Sequence, residues 1–265
     1  MFVDTHTHIS DDAFRGEEEA VIARAQAKGV GIMLQADICR AERAPMYALC
    51  ARHPGVLYPM IGLHAEEVRE NWRDELDDLP NWLPQHPVAV GEIGLDYHWD
   101  VTFREQQKEV LRLQFELADK WDLPVNIHLR DATEDFLKIV KDCARLHLRG
   151  NLHAFSLSAE TYRELCRYGD WSVGIGGVVT FKNARLAETV RDIPLDRILL
   201  ETDAPYMAPT PLRGTRNESA NIPLIAAKIA EIKGVPLQAV EEATTENAIK
   251  LFNLCETCST SQKSS

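Results

Sequence analysis

Long apolar runs are missing from this chain. No stretch reaches the roughly 20 residues a helix needs to cross a bilayer, and no basic segment followed by an apolar core stands at the N-terminus. That excludes a membrane-span reading and a secretory-leader reading, so the expectation is an unprocessed cytoplasmic protein with no membrane partner. Positive charge is also short, with 29 Lys and Arg against 41 Asp and Glu and a formal net charge of −12. This balance argues against an extended basic groove for long nucleic acid. It leaves room for a small site in which metal ions supply the positive charge. The six cysteines follow no regular framework, which points to free thiols in a reducing compartment rather than a disulfide scaffold. Cys255 and Cys258 make one C-x-x-C, but two ligands fall short of the four a structural zinc site needs.

What is present is an ordinary globular composition, 45% hydrophobic and 26% charged over 265 residues. Such a chain buries roughly three quarters of its unfolded surface and has a suitable length for one α/β barrel. Short apolar runs predict strands at 2–8, 31–36, 56–64, 88–96, 125–129, 151–155, 171–177 and 197–203. Between and after them, helical periodicity covers 16–28, 41–52, 102–121, 131–146, 159–168, 183–191, 222–233 and 237–254. In the longest, Val110, Leu111, Leu113, Phe115, Leu117 and Ala118 supply the apolar face. An acidic segment with Trp72 and Trp82 separates the third and fourth strands. Strand and helix alternate throughout, which argues for a parallel sheet, and eight units suggest a single closed (β/α)8 TIM barrel over 1–255. The rival is an open doubly wound sheet. Residues 256–265 read as a polar, disordered tail.

Metal-capable side chains sit at the C-terminal ends of these strands. His6 and His8 share one side of the first strand, because strand side chains repeat every two residues. His64 ends the third strand, Glu92 and Asp96 lie late in the fourth, and His128 is near the end of the fifth. His153 is in the sixth, and Asp203 closes the eighth. A barrel brings all these ends to one rim, where barrel active sites are built, whereas an open sheet would leave the first and eighth far apart. A carboxylate inside the apolar run Val88-Ala-Val-Gly-Glu92-Ile-Gly94 is costly unless paired or metal-bound. Histidines with carboxylates at one rim suit two divalent ions (Zn, Mn or Mg) and hydrolysis. His53, His86, His98 and His147 fall in loops or helices and read as surface residues.

These residues lie in motifs that resemble the TatD family of metal-dependent deoxyribonucleases, within the amidohydrolase-like TIM barrels. The matching stretches are Phe2-Val-Asp-Thr-His-Thr-His8, Ile61-Gly-Leu-His64, Gly91-Glu-Ile-Gly-Leu-Asp96, His128-Leu-Arg-Asp-Ala132, His153-Ala-Phe155, Gly176-Gly-Val-Val-Thr-Phe181 and Glu201-Thr-Asp-Ala-Pro-Tyr206. The resemblance implies that His6, His8 and Asp203 hold one ion, that His128 and His153 hold the other, and that Glu92 bridges them. It implies Asp203 as the group that orients or deprotonates the attacking water, and His64 as a contact to the scissile phosphate or leaving group. Arg130, Tyr206 and Asn217 are implied substrate contacts. Two departures stand out: Ala154 where the family has cysteine, and Ser219 where it often has proline.

The expected activity is hydrolysis of DNA phosphodiester bonds, trimming single strands or strand ends from the 3′ end. The alternative is hydrolysis of a small amide, lactone or phosphoester on the same barrel, since fold and ligand set alone do not separate the two. A non-catalytic metal-binding scaffold is a third reading. No dedicated protein partner is indicated, and a monomer or weak oligomer is expected.

Overall fold

The first strand, β1 (Phe2–Thr7), is buried along its whole length. A strand covered on both faces has no need to alternate apolar with polar residues, and here Asp4, Thr5, His6 and Thr7 are as buried as Phe2 and Val3. The computed structural model describes residues 1–182 and 184–254. After β1 come α1 (Glu18–Ala27), β2 (Val30–Gln35), α2 (Arg40–Arg52), β3 (Leu57–Pro59), α3 (Trp72–Asp78), β4 (Val90–Asp96) and α4 (Arg104–Trp121). The second half follows as β5 (Val125–Arg130), α5 (Thr133–Asp142), β6 (Arg149–Leu152), α6 (Ala159–Leu165), β7 (Asp170–Ile175), α7 (Leu186–Asp192), β8 (Ile198–Leu200), α8 (Ile222–Lys233) and α9 (Leu237–Phe252). Among the described residues no helix is long and apolar enough to cross a membrane.

The strands pair in parallel and in chain order, as β1-β2-β3 and β4-β5-β6-β7-β8. Single parallel bridges join the two sets, Ile61 to Val90 on one side and Thr7 to Ala204 on the other. Asp203 N donates to His6 O (2.9 Å) and His8 N to Ala204 O (2.8 Å), which ties the eighth strand end to the first. The fold is the (β/α)8 TIM barrel that the alternation predicts.

The strand limits differ from expectation where the partner changes. The third strand, expected over 56–64, is only Leu57–Pro59. Proline has no N–H to give a ladder, and past it Met60 N still donates to Gln35 O while Ile61 N turns to Ala89 O. His64 therefore follows the strand and leads into a 3-10 turn at Ala65–Glu67. The eighth strand, expected over 197–203, is Ile198–Leu200, because its continuation crosses to β1. His153 lies just beyond β6, which starts and ends earlier than expected. The Trp72 segment folds as α3, and Trp72 packs with Ile61, Leu63, Val68, Leu76, Leu79 and Val110.

α4 buries Val110, Leu111, Phe115 and Ala118 at helical spacing, whereas Leu113 points outward. A second apolar cluster joins Val3, Ile32, Leu34 and Leu199 to Ala248, Phe252 and Leu254, so the last helix locks the β8–β1 side. Cys255, Cys258 and the tail at 256–265 lie outside the described residues, as does Asn183 at the expected start of α7.

Gly94 pairs with His128 in the β4–β5 register. Its φ is +155°, and a Cβ there would sit 1.8 Å from the His128 carbonyl oxygen. Backbone cannot yield as a side chain can, so Gly94→Ala is expected to destabilise the protein by roughly 1–3 kcal/mol. Denaturant unfolding would measure this, and an unchanged midpoint would refute the close approach.

Candidate metal centre

β1 carries His6, β4 brings Glu92 and Asp96, and β5 brings His128. The segments just past β1, β3, β6 and β8 add His8, His64, His153 and Asp203. Glu92 is the centre of the group. Its Oε2 lies 3.1 Å from His6 Nε2 and 3.6 Å from His8 Nε2. Its Oε1 lies 3.0 Å from His128 Nδ1, 3.4 Å from His64 Nε2 and 3.8 Å from His153 Nε2. Asp203 Oδ1 is 3.5 Å from His8, 3.6 Å from His153 and 3.8 Å from His6. The His6 and His153 rings stack at 3.5 Å.

The donor atoms fall into sets whose members lie within 4.8 Å of one another. These are His6 with His8 and Asp203, His6 with Glu92 and His153, His64 with Glu92 and His128, and Glu66 with Asp96 and His128. The expected grouping of His6, His8 and Asp203 is one of these sets. His153 groups with His6 and Glu92, and His128 with His64 and Glu92, so the two halves meet at Glu92. Imidazole nitrogens and carboxylate oxygens at this spacing form a donor set that fits divalent metal ions.

Charge in the cluster is balanced internally. Burial works against ionisation of Glu92, but the charges of His6, His64 and His153 hold its carboxyl well below the usual range. Burial also opposes ionisation of Asp203, yet His153, His8 and His6 keep it below its ordinary value. Burial and the neighbouring His153 push His6 down. At His128 burial favours the neutral ring, but Asp96 and Glu92 outweigh it and raise the pKa to about 9. At His153 burial is overridden by Glu201, Asp203 and Glu92, giving about 10.

Each buried ring is also held from behind. His6 Nδ1 is 2.8 Å from Asn126 Oδ1; with that oxygen accepting, the His6 proton is on Nδ1 and its Nε2 electron pair faces Glu92. His128 Nε2 is 2.7 Å from Asp96 Oδ2. Glu201 Oε1 is 3.0 Å from His153 Nδ1, within ion-pair distance although too bent for a hydrogen bond. Asn126 and Glu201 were not singled out from the sequence. The available signal was the one that marked Glu92, a polar side chain within an apolar run, as in Val125-Asn-Ile127 and Ile198-Leu-Leu-Glu201.

The cluster floors a cavity of about 730 Å3 whose wall includes His8, His64, Glu92, Trp99, His128, Arg130, His153, Asp203 and Tyr206. Arg130 forms no ion pair among the described residues; its guanidinium lies over the Trp99 ring, 5.2 Å from the centroid. Tyr206 is half exposed and donates from its hydroxyl to Asp11 Oδ2 at 3.2 Å. Asn217 is a correction. It is fully buried away from the cavity wall, and its amide donates to Thr202 O and Tyr206 O, both at 2.8 Å. Its Oδ1 accepts from Glu218 N and Asn221 Nδ2. With all these groups occupied, Asn217 clamps the loop after β8 and has nothing left for a substrate.

Residues 3–253 match the family described as TatD related DNase. The chain belongs to the TatD family. A Bacillus subtilis (strain 168) relative named Uncharacterized metal-dependent hydrolase YabD is 38% identical, with 96% of this chain and 100% of the relative covered. An Erwinia billingiae relative named 3'-5' ssDNA/RNA exonuclease TatD is 31% identical, with 95% and 98% covered. The crystal structure of YjjV, a TatD homolog from Escherichia coli K12, has a TM-score of 0.87 at 30% identity and covers 96% of this chain and 98% of its own. As a TatD-family protein the chain is a metal-dependent hydrolase, which agrees with the donor set at its barrel mouth.

A carboxylate behind a ligating imidazole fixes the ring and raises its basicity, and losing it typically costs about 10- to 100-fold in metal affinity. Asp96→Asn is therefore expected to weaken divalent-metal binding by about that factor with the fold intact, as read by titration calorimetry and circular dichroism. Unaltered affinity would remove His128 from the metal centre.

Proposed function

We propose that this protein is a two-metal nuclease that hydrolyses phosphodiester bonds of single-stranded DNA or strand ends, removing nucleotides from the 3′ end. The observation that carries the reading is the division of labour on Glu92. Oε2 faces His6 and His8, while Oε1 faces His128, His64 and His153. A carboxylate with a different imidazole set on each oxygen suits a bridge between two ions. On this reading His6, His8 and Asp203 hold one ion and His128 and His153 the other. Zinc, manganese or magnesium bound there would supply Lewis acidity, lowering the pKa of water and neutralising phosphate charge.

The protein groups then divide by exposure. The Asp203 side chain is 19% exposed and that of Glu92 only 4%. Asp203 is thus the carboxylate that cavity water reaches, and its histidine neighbours keep it ionised, as a base must be. His64 Nδ1 accepts from Glu66 N at 3.2 Å, so a neutral ring carries its proton on Nε2, at the cavity side. From there it can donate to a phosphate or leaving oxygen. Arg130, which forms no ion pair among the described residues, can pair with a flanking phosphate. The acidic balance suits an enzyme that draws one strand end into a cavity better than one that coats a duplex. The name of the Erwinia billingiae relative favours the same substrate class.

The test is a digestion series on a 5′-labelled single-stranded oligonucleotide with Mg²⁺ or Mn²⁺. A ladder shortening from the 3′ end is expected, absent with chelator and slowed about 100- to 10,000-fold in Asp203→Asn, the usual range for a lost general base. An uncut oligonucleotide with metal-loaded protein would reject the nuclease and turn the search to small phosphoesters, amides and lactones.

A further inference from the structure

The β4–β5 side of the rim carries a side chain for which neither fold nor metal centre has a use. Trp99 is 70% exposed, in a chain whose Trp72 and Trp171 are buried and whose Trp82 and Trp121 are partly covered. An indole left so open contributes little to packing, and large apolar groups exposed at a cavity mouth mark binding surfaces. Trp99 is also held in place. His98 N donates to Asp96 Oδ1 at 2.8 Å, and His98 Nδ1 is 2.8 Å from Asp131 Oδ2. The His98 ring meets the indole edge to face at 4.7 Å, and Arg130 covers part of it. Asp96 is the same carboxylate that holds His128, so the indole and the metal centre share one anchor.

Position in the barrel adds the second argument. Tyr206 stands at the β8–β1 seam, its ring 6.3 Å from His8, and it lines the same cavity as Trp99. In a ring of eight strands the β8–β1 seam and the β4–β5 pair lie opposite each other. Two exposed aromatic rings thus flank the metal centre from opposite sides. A nucleic-acid strand with a phosphate over the centre must carry its neighbouring bases outward to both sides, and aromatic faces with an adjacent Arg are the usual sequence-tolerant platform for them.

We propose that Trp99, backed by Arg130, is a nucleobase-stacking subsite that holds a base adjacent to the scissile phosphate, across the site from Tyr206. The proposal rests on the nuclease reading above and adds where the base sits. It also gives Arg130 two tasks, with its guanidinium carbon over the indole and its N–H groups directed to the adjoining phosphate.

The test compares an oligothymidylate with an abasic strand of the same length and phosphate count. Each is bound in chelator to wild type, Trp99→Ala and Trp99→Phe, and turnover of the oligothymidylate is measured with metal. Stacking on an aromatic ring is typically worth about fivefold or more in affinity per base. Wild type is expected to prefer the base-bearing strand by at least that factor, and its tryptophan emission to be quenched by it. Trp99→Ala should lose about fivefold of the preference and Trp99→Phe should keep most of it. The quench should vanish in both, because Trp99 is the strongly exposed tryptophan. An equal loss for both strands in Trp99→Ala would overturn the subsite, as would a quench that persists without Trp99. Wild type that cuts the oligothymidylate yet binds both strands alike would remove the subsite and leave the nuclease standing. Wild type that neither binds nor cuts it would remove both.

Discussion

A carboxylate buried among imidazoles is the constraint around which this barrel is built. Glu92 is almost wholly out of water, and every ion pair it makes is with a histidine. A lone buried carboxylate would be expelled or protonated, so the strands that deliver those histidines must be in register before the charge is tolerable. The demand propagates outward. Gly174 has no side chain because a Cβ would strike Glu201 Oε2 at 1.8 Å, and Glu201 is what stands behind His153. Asn126 serves His6 and Asp96 serves His128. Half of this polar layer touches no ion in the proposed mechanism, yet it sets where the ligating atoms point.

The same economy holds the barrel closed. Each seam between the three-stranded and five-stranded sets has a single strand bridge and a few backbone hydrogen bonds, to which buried side chains add. At one seam Asp4 accepts from Thr202 N at 3.0 Å and from Thr202 Oγ1. It binds the first strand to the segment that carries Asp203, even though burial raises its pKa to about 7. At the other, Asp37 Oδ2 takes Gly62 N at 3.0 Å and Arg43 Nε at 2.6 Å, while Arg43 also reaches Gly62 O. The Asp37 backbone exchanges bonds with Gly91 and Glu92. Removing one member of a buried pair strands the other and is far more damaging than losing a surface pair. Both seams therefore depend on buried carboxyls that lie a few residues from the metal centre, so closure of the barrel and geometry of the site are one problem.

This coupling explains what could be read from the chain alone. The eight strands were legible because strands buried on both faces leave continuous apolar runs, as in Gly31-Ile-Met-Leu34 or Ile198-Leu-Leu200. The histidines at 6, 8, 64, 128 and 153 were legible as polar interruptions at the ends of such runs. The short β3 was not, since the chain turns from β2 to β4 at Ile61, two residues past Pro59, and only the two neighbouring strands reveal that change. Glu201 and Asn126 show only as polar interruptions of apolar runs, because which ring each one holds is a relation with no sequence spacing. Asn217 is a substrate contact by family resemblance alone, whereas in the fold its amide is spent on four backbone and side-chain partners. Trp99 drew no notice because exposure, not residue type, gives it meaning.

On the nuclease reading proposed above, an acidic protein would have to confine its attraction for a polyanion to short range. At −12 the surface as a whole repels a strand, but at physiological salt that repulsion is screened beyond about 8 Å. The cavity lining is itself rich in carboxylates, Glu42, Glu66, Glu67 and Glu201 among them, so attraction there would have to come from particular groups. Arg130 forms no ion pair among the described residues, five imidazoles crowd around Glu92 and Asp203, and divalent ions held there would supply the positive charge that the lining lacks. Apolar faces at Trp99 and Tyr206 contribute attraction that carries no charge at all. On the nuclease reading, binding built from stacking and from bound divalent ions would need few surface cations. It would favour a flexible end that can thread into the mouth over a stiff duplex that would have to lie along the repelling exterior.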